Sequence, residues 1–490
     1  MISQLRRPIR LVCCVVLGLA AGAGAVAQQA IDLPDFGDSA GAIISPEQER
    51  RLGADFMRQL RRQAPIVDDE EVEDYIQELG RNLAEHADYE GDFHFFVIDS
   101  PVINAFAVPG GYVAFHTGLI LETESESELA SVMGHEISHV TQRHGARMIE
   151  ESSHMSMPMM VAMVGAIAAA AVNPQAGMAA LMATQAAAVQ HQINFTRANE
   201  KEADAIGIRL MSDAGYDTSK MPVFFERMQR ASRYSDPSFI PEYLRTHPIT
   251  INRIAEARSR AETVKPALVR EDSYKYLLVK TKLRVRAESD PVQARHRFEA
   301  MLKDGSTEQR DVARYGYALA LTATGEFAKA RVELSELVAD YPNMVSFRIA
   351  AGQLEQRSND FEAALAHFEH AYRLDPENRA AVYGYVNALL LTERAAEAKQ
   401  LLGAWGLADR RDPKFYKLLA DAETRLGEIA NSHHSLAEFY LSVGEFPHAA
   451  EQLRLARQTP GLSNYQRQKI VARLEEVEDT IAQLEEDQRL

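Results

Sequence analysis

The sequence predicts a mainly α chain in two parts: a metal-site domain that includes a small β-sheet, then an α-solenoid. Three observations carry this prediction. The run His135-Glu136-Ile137-Ser138-His139 lies in a stretch with helical spacing, and histidines four apart project from one helix face, about 40° apart. Well downstream, Glu200 and Asp204 stand four residues apart and share a face in the same way. Beyond Ser273 the sequence turns periodic: Phe327 and Phe361 are 34 residues apart, as are Pro342 and Pro376.

Composition sets the outer bounds. A chain of 490 residues, 46% hydrophobic and 25% charged, is globular in character and long enough for several cores. Its formal net charge of −17 argues against nucleic acid, since phosphate contacts need clustered Lys and Arg. Charge alone gives no attraction to anionic lipid either. At the N-terminus Arg6, Arg7 and Arg10 precede an apolar run, Leu11 to Ala25, and the small-residue site Ala25-Val26-Ala27. This pattern predicts a cleaved signal peptide over 1–27 and a periplasmic location. Cys13 and Cys14, the chain's two cysteines, both fall inside it, and Val12 is not the small residue that lipidation needs. The mature chain is then expected to hold no disulfide and no cysteine-ligated metal.

Element by element, 28–45 reads as a linker rich in Gly, Ser and Asp. A helix is expected from Pro46 to Arg62 and another from Asp69 to Glu85, the latter on Val72, Tyr75, Ile76, Leu79 and Leu83. Phe93 to Asp99 reads as a strand, and Ala105 to Phe115 as a hairpin around Pro109-Gly110-Gly111. The expected sheet is antiparallel. Its edge, Asn104, Ala105, Phe106 and Ala107, can take a substrate backbone as an added strand. The histidine helix is expected to open at Thr123 with Glu126 as a capping box and to close at Gly145.

Met155 to Val189 is Met- and Ala-rich, and breaks at Pro158 and Asn173-Pro174. Its longest apolar piece, Met159 to Val172, is 14 residues, short for a bilayer crossing. It is expected to form a helical pair over the metal site. Peripheral contact with a membrane or an apolar client through 155–189 is the second reading. The periodic region repeats one turn: Gly325-Glu326-Phe327, Asn359-Asp360-Phe361 and Arg394-Ala395 occupy matching positions, and Gly444-Glu445-Phe446 echoes them out of phase. The period resembles the tetratricopeptide repeat, whose helix pairs stack to bury a shared apolar face. Asn464 to Glu486 reads as a charged capping helix.

His135 and His139 need a third ligand from elsewhere. His144 is about 140° off their face if the helix continues, and reads as a helix-end histidine. Glu200 is the better candidate, with Asp204 accepting a ligand histidine's free N–H. Glu202 stands about 160° from Asp204 and is excluded from that role on a regular helix. Two histidines, one glutamate and an open position favour zinc, one ion per chain, with Glu136 as general base. The bland alternative for Glu200 and Asp204 is a solvated acidic stripe. His247 precedes Pro248, so it is held extended and could simply be a loop hydrogen-bond donor. Arg253 reads by default as a surface arginine, with a carboxylate contact as the other option.

Four ordered motifs carry a resemblance. They are Asn104-Ala105-Phe106-Ala107 with Pro109-Gly110-Gly111, Gly134-His135-Glu136-Ile137-Ser138-His139, Arg197 through Gly207 around Asn199-Glu200 and Ala203-Asp204, and Thr246-His247-Pro248. Together they resemble the gluzincin family of HtpX, the CAAX prenyl protease and the periplasmic β-barrel assembly-enhancing proteases. The leader and the repeat array resemble the last of these. The resemblance implies a zincin-like metalloprotease domain over 46–265 and a tetratricopeptide domain over 273–490. It implies zinc held by His135, His139 and Glu200, with Glu136 as base and Asp204 in support. It also implies His247 as a fourth ligand that latches the site. The implied partners are unfolded or stalled outer-membrane β-barrel proteins and their assembly machinery. A non-catalytic assembly factor with a structural or latched zinc is the rival reading.

Overall fold

The computed structural model describes residues 44–151, 174–234, 241–304, 307–405 and 412–487. The expected leader, nearly all of the expected linker, and the stretch Met155 to Asn173 lie outside the described residues.

Helix α1 (Pro46–Gln63) starts on a capping box between Ser45 and Gln48. Helix α2 (Glu70–Ala84) starts on Asp69, whose carboxylate accepts from the N–H groups of Glu71 and Val72. Val72, Tyr75, Ile76, Leu79 and Leu83 are all buried, as their helical spacing predicts. Three strands follow: β1 (His94–Ile98), β2 (Ala105–Val108) and β3 (Tyr112–His116). The sheet order is β1-β3-β2, and here the expectation needs correcting. β2 and β3 form the expected antiparallel hairpin, but β1 runs parallel to β3, with Phe96 opposite Ala114. The β1–β2 connection carries the chain past β3's place, so β3 enters between them in β1's direction. Gly110 and Gly111 make the turn at φ of 87° and 86°, where a side chain would be strained. A Cβ on Gly111 would also lie 2.1 Å from the Asp92 carbonyl oxygen. β1 is flanked on its outer side by a bridge from Ile66 to Ile98, and β2 is the opposite edge.

A short α3 (Thr117–Glu122) precedes the central α4 (Glu126–Thr141), which is buried on nearly every face. The cap of α4 differs from the expected one. Thr123 is committed to ending α3, its hydroxyl donating to the Ile120 carbonyl, and Ser125 caps α4 by accepting from the Glu128 N–H. The other end differs too. The helix breaks at Gln142 and Arg143, with Arg143 at φ 52°, and helical turns resume at His144 rather than stopping at Gly145.

Helix α5 (Pro174–Asp213) crosses α4 where Gly134 meets Gly207: a Cβ on either would come within 3.2 Å of the other's backbone. Two glycines at the crossing bring the backbones together, so side chains within about two turns on each helix can converge. Helices α6 (Lys220–Tyr234), α7 (Glu242–Thr246) and α8 (Ile251–Thr263) complete this part around one core that includes Phe115, Met133, Ile137, Phe224 and Tyr243. No helix among the described residues is long and apolar enough to cross a membrane.

The periodic region is a run of consecutive helices joined by short turns, from α9 (Tyr274–Ala287) and α10 (Pro291–Asp304) onward. A left-handed residue recurs every 34 positions: Gly325, Asn359, Glu393 and Gly427, at φ from 61° to 78°. Each ends the first helix of a pair, and Phe327, Phe361, Ala395 and Ile429 each open the second. Gly444 at φ 79° makes the out-of-phase turn before Phe446. The last helix (Asn464–Asp487) packs Ile470, Leu474 and Val477 inward and is otherwise largely exposed, as a cap.

The two regions are joined by partly buried charge. Glu126, at the start of α4, accepts from Tyr75 and from the backbone and hydroxyl of Ser273. The acidic opening of α2 meets cations of the array: Lys282 binds Asp69 and Glu71, and Arg379 binds Glu73, Asp74 and Asp412.

Candidate metal centre

Helix α4 presents His135 and His139 on one face with their Nε2 atoms 3.0 Å apart. From α5, Glu200 reaches the same point, its oxygens 3.5 Å from His135 Nε2 and 3.4 Å from His139 Nε2. His247, just past α7, brings Nδ1 to 3.3 Å from His135 Nε2 and 3.1 Å from Glu200 Oε1. All four offer a donor atom within 4.8 Å of one another. Donors at about 2.0–2.1 Å from one zinc in a tetrahedron stand about 3.3 Å apart. The separations found here fit that set. With His247 included, four donors face one point, whereas catalytic zinc keeps one position open.

The carboxylates and a guanidinium build the surroundings. Asp204 Oδ1 lies 2.9 Å from His135 Nδ1. Arg253 overturns its expectation as a surface residue: it is 2% exposed. Its guanidinium donates twice to Asp204 at 2.8 Å, to Glu200 at 2.6 Å and to the Pro248 carbonyl at 3.0 Å. It also lies over the Phe225 ring. Glu200 and Asp204 are therefore not a solvated stripe. Glu202 points elsewhere, to His144 and Arg147, as its position around the helix implies.

Burial and charge set the protonation of the cluster. Burial opposes a charged His135, yet the Asp204 and Glu200 carboxylates outweigh it and hold its pKa up at about 10. Burial pushes His139 down to about 3 despite Glu200. Burial works against the Glu200 carboxylate, but His247 and the two other histidines more than reverse this and hold it well below the usual range. Asp204 is held low by Arg253 and His135 against its own burial. A proton on His135 thus competes with a cation for the same place.

Glu136 is buried, and its Oε1 has no hydrogen-bond partner; His247 Nε2 lies 3.5 Å from it. Burial raises its pKa, while His247 and His135 oppose this, as does a backbone hydrogen bond from Ala107 of β2. The expected substrate edge therefore adjoins Glu136. Asn104 and Ala105 are buried, while Phe106 and Ala107 are half-buried. The segment bearing His247 is tied to the entry of this edge, the Tyr243 N–H donating to the Ile103 carbonyl at 3.1 Å. Tyr243 itself is fully buried under the His247 ring. An unbroken helix would carry His144 off the ligand face. The break at Arg143 instead turns it back, with its Nδ1 2.9 Å from His139 Nδ1. Nothing in Val140-Thr141-Gln142-Arg143 signals that break.

Residues 70–261 match the model of peptidase family M48, and 355–422 match a tetratricopeptide repeat. The β-barrel assembly-enhancing protease of Escherichia coli (strain K12) is 35% identical over 491 residues, covering 99% of this chain and 98% of that protein. The protein of that name from Yersinia pestis is 36% identical over 411 residues, 83% of this chain and 84% of its own length. The mitochondrial metalloendopeptidase OMA1 of Bos taurus is 32% identical over 160 residues, 32% of this chain and 30% of that protein.

Proposed function

Because the chain belongs to peptidase family M48 and, along almost its whole length, to the β-barrel assembly-enhancing proteases, we propose that it is a periplasmic zinc metalloendopeptidase with a chaperone-like role. The chain is a metalloendopeptidase. Its clients, in this reading, are unfolded or stalled outer-membrane β-barrel proteins met at their assembly machinery. The protease domain spans 46–265, and the repeats over 273–490 recruit client and machinery. The stretch 155–189 is a candidate for peripheral membrane contact. The observation that supports the reading most is the convergence of His135, His139 and Glu200 with a buried, unpartnered Glu136 oxygen beside them.

In this mechanism His135, His139 and Glu200 would hold one zinc, which when bound would polarise the scissile carbonyl and make water a nucleophile at neutral pH. Glu136 takes the proton of the attacking water on its free Oε1 and returns it to the leaving amine nitrogen. Its raised pKa suits it to do both. Asp204 accepts the His135 N–H, and Arg253 holds Asp204 in place. The client backbone lies extended along Asn104 to Ala107, next to Glu136. His247 is the latch: while it faces Glu200 and His135 it takes the place of water, and a client pairing with β2 competes with the Tyr243–Ile103 hydrogen bond that anchors it.

The test is cleavage of an unfolded β-barrel protein by wild type, Glu136→Gln and His247→Ala. The proposal expects Glu136→Gln to be nearly inactive and His247→Ala to be faster than wild type. Equal rates in all three would defeat it. The four-donor geometry also favours the rival, an assembly factor with a permanently latched site. That reading expects Glu136→Gln to leave client assembly intact.

A further inference from the structure

The two helix histidines are not oriented in the same way. His135 Nδ1 faces a carboxylate directly, Asp204, which Arg253 clamps. His139 Nδ1 faces another imidazole, His144 Nδ1, at 2.9 Å with the rings nearly perpendicular. On its far side His144 Nε2 lies 3.1 Å from Glu202 Oε2, and Arg147 sits 3.0 Å from that same oxygen. We propose that His144 is a positioning residue, relaying the Glu202 carboxylate to His139 and so fixing the tautomer in which His139 offers Nε2 to the metal.

The chain of donors leaves one self-consistent arrangement. This rests on the reading of His139 as a ligand through Nε2. With that lone pair committed, the ring proton of neutral His139 sits on Nδ1 and must be given to an acceptor. Its neighbour is His144 Nδ1, which accepts only if the His144 proton is on Nε2. That Nε2 in turn faces Glu202, which as a carboxylate can only accept. Every hydrogen bond then runs one way, from His139 through His144 to Glu202. The result copies the His135–Asp204–Arg253 arrangement with one imidazole inserted, and Arg147 takes the part of Arg253. His144 is 2% exposed, so no bulk water competes for the His139 proton from that side. The relay also links His139 to the helical turns that begin at His144.

Outer partners of metal-ligating histidines change metal affinity about 10–100-fold when removed. The experiment uses the full mature chain with 15N-labelled histidine, assigned by difference from His139→Ala. It reads the protonated ring nitrogen of His139 in metal-free and zinc-loaded protein, and measures zinc affinity by competition with a chelator. The proposal expects Nδ1–H on His139 in wild type in both states. His144→Phe should give a mixture of tautomers without metal and bind zinc about 10–100-fold more weakly. His144→Asn, whose amide oxygen falls near the place of Nδ1, should restore both. Nε2–H on His139 in wild type would overturn the proposal. So would an unchanged tautomer in His144→Phe, even with weaker zinc binding, because a purely structural role would do the latter alone. If His144→Phe does not fold, the wild-type tautomer and His144→Asn still decide. Zinc binding undiminished in His139→Ala would sink the ligand reading and leave the tautomer result standing.

Discussion

Replacing Arg253 by methionine removes the cation that two buried carboxylates share. Four hydrogen bonds are lost, two to Asp204, one to Glu200 and one to the Pro248 carbonyl. The arginine and both carboxylates are under 5% exposed, so water does not replace them. Breaking a buried ion pair from one side destabilises by about 3–5 kcal/mol, because the partner is left charged and uncompensated. Asp204 keeps only the His135 ring, its Nδ1 2.9 Å away, so we expect Arg253→Met to fall in that range. Asp204→Asn in the same chain should recover part of the loss, with a coupling of about 1–3 kcal/mol. Urea unfolding of the metal-loaded and chelator-treated protein measures both. The metal-free protein should show the larger loss, since no cation then offsets Glu200. A change within about 0.5 kcal/mol, as for an ordinary surface arginine, would mean that Arg253 compensates no buried charge.

Further predictions concern the frame around the site. Gly207→Ala puts a Cβ 3.1 Å from Gly134 C and His135 N; it should cost about 1–3 kcal/mol by overpacking and weaken zinc binding. Gly403→Ala, where a Cβ meets nothing within 4 Å, should do neither in the same titration. Glu393→Gly relieves a left-handed residue at φ 61° and should raise stability by about 0.5–1 kcal/mol in thermal unfolding. Burial lowers Lys280 to about 8 from 10.5. The folded-state value is thus the lower one, and charging Lys280 penalises the fold as pH falls from about 10.5 to about 8. Lys280→Met should be more stable than wild type at pH 7, on the order of 1 kcal/mol after allowing for partial exposure. The advantage should vanish near pH 11; a constant difference from pH 7 to 11 would contradict it.

Much of this molecule could be read from spacing. Helix α2, the β2–β3 hairpin, the facing pairs His135/His139 and Glu200/Asp204, and the 34-residue turn all follow from local periodicity. What spacing misses is anything that depends on a break or on distant contact. The angle that put His144 off the ligand face holds only while the helix continues, and it stops at Arg143. Arg253 meets Asp204 across 49 residues of chain, and no pattern within either helix records that. Thr123 has the right residue type for a cap, but its hydroxyl closes the preceding helix instead. The parallel pairing of β1 was hidden because alternation fixes which face a strand buries and leaves its direction open.

The proposed mechanism requires one cation held between α4 and α5. The most direct measurement is anomalous diffraction at the zinc edge from crystals of the mature protein. The mechanism predicts a single strong peak, about 2.0–2.2 Å from His135 Nε2, His139 Nε2 and a Glu200 oxygen, and its loss in Glu200→Ala. A peak elsewhere, or one that survives Glu200→Ala undiminished, would contradict it.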